Sequence, residues 1–232
     1  MSDLGGSVKR SGQYGRIDRV SASTKQNYGG ESGEQRAARR RAALLDAAIT
    51  VVAEQGWRQL NVERVCTSAG LIKRYFYESF ADIDALAAAV IDELATEILT
   101  LVVVNDLSIP RPQLMRTMIE KLVDYAVNDP RRARVFFGEM AATEAASHQR
   151  GLAIRRIVTI LAAEARTLSH ADHPMLDITA SVLVNGSTRT LIDWLDGTIA
   201  VPREEFINYL TWLWLSASEG AIAHVASTPA EN

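Results

Sequence analysis

From Arg36 onward, apolar side chains recur with the period of an α-helix. Leu45, Ala48, Ile49 and Val52 follow i, i+3, i+4, i+7 spacing and line one face of a helix that Gly56 stops. Asn61 suits an N-cap, and Val62, Val65, Cys66 and Ala69 repeat that spacing over a shorter span before Gly70. A third helix is expected within two residues of this glycine. On a wheel of about 100° per residue, Ile72, Phe76 and Phe80 fall within about 80° of one another, which predicts a buried stripe. Lys73, Arg74 and Tyr77 fall on the other side, with Tyr75 at the edge. Three short helices with a Gly-containing turn between the last two predict a helix-turn-helix.

Beyond Phe80 only helical signals follow, so the expected fold is all-α. Asp82 caps a helix that runs through Leu86, Val90, Leu94 and Ile98 toward Val104. Prolines 110, 112, 130, 174 and 202 mark most later boundaries. Asp129-Pro130 reads as a cap followed by proline in the first turn, and Pro202 precedes Glu204 and Glu205 at the positive end of another helix. This divides the chain into a disordered basic tail at 1–34, a helix-turn-helix domain at 35–81 and a helical bundle at 82–232.

Composition sharpens this division. The first 33 residues hold seven of the 14 glycines and few large apolar side chains, too little to offset the entropy of ordering. Net charge is −3, but unevenly spread: residues 1–80 carry a net +5 and residues 81–232 a net −8. A basic front on an acidic body suggests that the front alone approaches a polyanion. No apolar run reaches the roughly 18 residues of a membrane span, and no apolar block follows the first basic residues, so neither a membrane segment nor a signal peptide is expected. A cytoplasmic protein is the plain reading. Cys66 is the single cysteine, which excludes an internal disulfide and a multi-cysteine metal site.

A short helix pinned from behind by Phe76 and Phe80 fits a DNA major groove. Lys73 or Arg74 can reach a guanine edge or a phosphate, and the Tyr77 hydroxyl can bond a phosphate oxygen. Arg36, Arg39, Arg40 and Arg41 open the first helix and could lie along a neighbouring backbone. The segment from "RRAALLDAAITVVAEQGW" through "NVERVCTSAGLIKRYFYESFADIDALAAAV" resembles the N-terminal DNA-binding domain of TetR-family transcriptional regulators. The shared features are an "AA" helix ending in Gly plus an aromatic, the "AGL" turn, aromatic-Tyr-x-x-Phe at 76–80 and the acid-x-Leu step at 84–86. By that likeness Asn61 takes a phosphate-contacting position, Lys73, Arg74 and Tyr75 take base-reading positions, and Tyr77 is the phosphate-contacting tyrosine. Two positions depart from the pattern: Ile72 replaces a small polar cap, and Ile83 replaces a lysine that often contacts the backbone.

The resemblance also implies a C-terminal domain that binds a small-molecule effector and dimerises. The residues support a homodimer independently. Residues 176–226 hold two helices apolar over much of their circumference, above all at "YLTWLWL", and such helices need burial on two sides. Tyr125, Phe136, Phe137, Met140, His148 and Trp194 are the candidate effector contacts, although each reads more readily as ordinary packing. An enzyme is not expected: no Gly-x-Ser-x-Gly elbow, phosphate-cradling glycine loop or pair of histidines at metal spacing occurs. No cofactor is called for. The expected function is a ligand-responsive repressor that binds double-stranded palindromic DNA; the alternative is a helical protein–protein module whose basic front meets an acidic partner.

Overall fold

The structure, a computed structural model, describes residues 31–102, 108–138 and 143–227. Nine α-helices and one 3-10 turn, with no strand, make up the described residues. The front comprises α1 (Gly33–Gln55), the 3-10 turn (Trp57–Gln59), α2 (Val62–Ala69) and α3 (Lys73–Ser79). The body comprises α4 (Ile83–Val102), α5 (Arg111–Asn128), α6 (Pro130–Phe137), α7 (Glu144–Ser169), α8 (Pro174–Leu195) and α9 (Arg203–Ser227). The all-α expectation is met. The predicted tail lies outside the described residues up to residue 30, while its last two positions, Gly33 and Glu34, already belong to α1. Val104 also lies outside them, and α4 is described to Val102.

The helix ends follow from local chemistry. Asn61 Oδ1 accepts from the Arg64 amide at 3.0 Å, and Asp82 Oδ1 accepts from the Ala85 amide at 2.8 Å. Asp129 caps α6 by accepting from the Arg131 amide, with Pro130 at the first helical position. His173 Nδ1 accepts from the Met175 amide at the start of α8, and His170 adopts a left-handed conformation (φ 54°) at the end of α7. Both histidines therefore have structural roles at that boundary.

One apolar core runs from the front into the body. It joins Leu44, Ile49, Val65, Phe76 and Phe80 to Leu86, Leu94, Val135 and Phe136. A second core packs α5, α6, α8 and α9 through Ile119, Val123, Leu191, Phe206 and Ile207. The helix-turn-helix is thus seated on α4 and α6 by continuous burial, the term that dominates its stability.

Candidate nucleic-acid interface

The turn before α3 is set by Gly70, held at φ 65° and ψ 29°, a conformation that strains any residue with a Cβ. The Leu71 amide donates to the Cys66 carbonyl at 2.9 Å and the Gly70 amide to the Thr67 carbonyl at 3.2 Å, the paired closure of a Schellman motif. α2 is held behind α3 by Val65 and Cys66, both buried. Burial pushes the Cys66 thiol up despite the nearby Lys73 charge, so it remains a neutral packing group.

α3 divides as the spacing predicts at Phe76 and Phe80, which are buried with ring centroids 5.9 Å apart. Lys73, Arg74 and Tyr77 are exposed on the opposite side, Tyr77 at 60%. Ile72 does not join the buried stripe: it is 61% exposed. The reason is backbone geometry. Ile72 precedes the helix in an extended conformation (φ −83°, ψ 153°), where a helical wheel has no meaning, and no side chain caps α3.

A cluster links α1 to α3. The Arg40 guanidinium lies 4.4 Å from the centre of the Tyr75 ring, and Glu78 stands 3.6 Å from Arg40 and 2.9 Å from Arg74 Nε. Tyr75 is half-buried by this stack. Glu78 escaped the sequence reading, although its i, i+4 relation to Arg74 was visible there. Arg39 is exposed on α1. The Asn61 side chain caps α2 and also donates to the Gln59 carbonyl at 3.1 Å, which leaves it one amide hydrogen for another partner. Lys73, Arg74, Tyr77, Arg40 and Asn61 thus come from elements packed together, and the cations stand on the side away from the core.

The body holds an apolar chamber of about 350 Å³ with walls from α4 through α9, among them Ile98, Met115, Met118, Phe137, Leu161 and Trp214. Phe137 is the expected effector contact that reaches it. Phe136 is buried in the main core, and Tyr125 donates to Glu97 at 2.9 Å, with burial and that bond pushing its hydroxyl pKa up. His148 is exposed on α7. Trp194 stacks on Phe206 at 4.8 Å and donates to the Val201 carbonyl. Met140 lies outside the described residues. Among the described residues no group of acidic, His or Cys side chains could hold a metal, and no helix is long and apolar enough to cross a membrane.

α6 is tied by its arginines to α1, to α4 and to the residue after α8. Arg131 donates to Thr50 Oγ1 on α1 at 2.6 Å and stands 3.5 Å from Asp46. Arg132 pairs with Glu97 on α4 at 2.6 Å, and Arg134 with Asp196 after α8 at 3.0 Å. Arg131 bonds Asp129 and holds its carboxyl below the usual carboxylate range.

These features define a helix-turn-helix DNA-binding transcriptional regulator. Residues 44–90 match the family of bacterial regulatory proteins, tetR family. The fold is similar to solved structures of this kind. A TetR-like transcriptional regulator from Rhodococcus sp. RHA1 is 17% identical with a TM-score of 0.62, over 79% of this chain and 96% of that one. A tetR-family regulator from Streptomyces coelicolor is 15% identical with a TM-score of 0.64, over 81% and 83%. A TetR family regulator from Marinobacter aquaeolei VT8 is 16% identical with a TM-score of 0.58, over 79% and 97%.

Proposed function

We propose that the protein is a cytoplasmic repressor that binds a palindromic operator as a homodimer and leaves it when a small molecule fills the body chamber. The observation that carries this reading is the two-sided α3: Phe76 and Phe80 are anchored inward while Lys73, Arg74 and Tyr77 project from the same two turns. In this reading Lys73, Arg74 and Tyr75 face base edges. Tyr77, Asn61, Arg39 and Arg40 address phosphates.

Exposed apolar stripes support the dimer. Ile178 and Val182 are 63% and 65% exposed on α8, and Tyr209 and Trp212 are 62% and 64% exposed on α9. A second copy would cover both stripes about a two-fold axis and present two recognition helices to half-sites roughly 34–36 Å apart. Release uses α6, which carries Phe137 on the chamber wall and Arg131 on α1. A ligand that favours a different setting of α6 would shift the dimer toward a geometry that mismatches successive half-sites. Selection of bound sequences from a random duplex pool tests the reading. Two inverted half-sites about one helical turn apart are expected, and recovery of no enriched sequence would overturn it.

A further inference from the structure

The chamber is apolar, and a smaller cavity beside it brings in several polar side chains. This second cavity of about 30 Å³ shares Met115, Leu161, Glu164 and Trp214 with the chamber and adds Arg111, Thr179 and Ser218. That is room for about two waters or one small polar group. Arg111 Nη2 donates to Ser218 Oγ at 3.3 Å, while its Nε is buried with no hydrogen-bond partner. Buried donors are nearly always satisfied, so an orphan beside a cavity points to an acceptor that belongs there. Arg111 and Glu164 join no ion pair among the described residues, although both line this cavity.

We propose that the chamber takes an uncharged amphiphile: an apolar chain or ring system in the large cavity, and a small head that accepts from Arg111 and donates to Glu164, as an amide does. This rests on the effector reading above and adds the ligand class to it. The two charges decide the head. A carboxylate is attracted by Arg111 and repelled by Glu164, and an ammonium meets the reverse, so each sets an attraction against a repulsion. An amide forms both hydrogen bonds and brings no net charge into an apolar site. The chamber lies in the size range of small-molecule sites, with apolar walls and few convergent polar groups.

Titration of the full-length protein with decanamide, decanoate and decylamine, three heads on one chain length, tests the proposal by calorimetry. Decanamide is expected to bind about tenfold or more tighter than either charged analogue. Arg111→Met should weaken decanamide by about ten- to hundredfold, the range of a hydrogen bond to a charged group. Should Arg111→Met fail to fold, Glu164→Gln at an exposed position gives the second reading: its preference should shift toward decanoate. Equal affinity for all three heads, no binding by any, or a Glu164→Gln variant with unchanged preference overturns the proposal. Duplex release measured alongside separates the two readings. Decanamide binding without release removes the effector role and keeps the ligand class, whereas release driven best by decanoate keeps the role and overturns the class.

Discussion

Phe76→Ala isolates the anchoring of the recognition helix. The ring is fully buried, 5.3 Å from the Tyr77 ring at an 82° interplanar angle and 5.9 Å from Phe80. Truncation removes the transfer free energy of the ring and leaves a cavity among α1, α3 and α4, for which about 3–5 kcal/mol is the usual loss. For a chain of this size about 1 kcal/mol corresponds to roughly 2–4 °C, so the melting midpoint should fall by roughly 6–20 °C. Circular-dichroism melts at equal protein concentration read this directly. Tyr77→Phe serves as the control, because a surface change there should stay within about 0.5 kcal/mol. Duplex affinity should also drop for Phe76→Ala at temperatures where the body remains folded, since α3 loses its rigid seat. A midpoint that moves less than about 2 °C would refute the burial argument and the placement of α3 that depends on it.

Three further outcomes follow from other parts of the molecule. Glu78→Gln releases Arg74 and Arg40 from their exposed pairing, so stability should hardly change, while duplex binding tightens and its log–log salt slope steepens by about 1 if a freed cation reaches a phosphate; an unchanged slope and affinity would argue against that placement. Trp212→Asp places a charge in the exposed α9 stripe, and light scattering should show a shift from two copies toward one; an unaltered mass would remove this face from the dimer. Asp129 has a depressed folded pKa, so its contribution is fully present above the usual value of 3.8 and is lost as pH falls through the lower folded value. The melting difference between wild type and Asp129→Asn should therefore narrow from pH 6 to pH 3, and a constant difference would contradict the Arg131 bond as its source.

The helix-turn-helix was legible in the sequence because its determinants are local. Asn61 caps within three residues, Gly70 closes within its own turn, and Phe76 and Phe80 are one turn apart. Ile72 was misplaced because the wheel extended helical geometry into an extended residue. The chamber was not legible, since its wall residues are spread over six helices and no local pattern marks them. Aromatic content misled there: Trp194 is taken up by Phe206, and Tyr125 by Glu97. No local pattern marks Arg111 either; packing against Ser218 and the small cavity distinguishes it.

Sequence selection from a random duplex pool by wild type and by Lys73→Ala, run side by side, tests most directly whether the outward face of α3 reads DNA. An inverted-repeat motif is expected for wild type, and the variant should lose preference at one symmetric pair of positions with the remaining positions kept. The same motif at full strength from both proteins would contradict it.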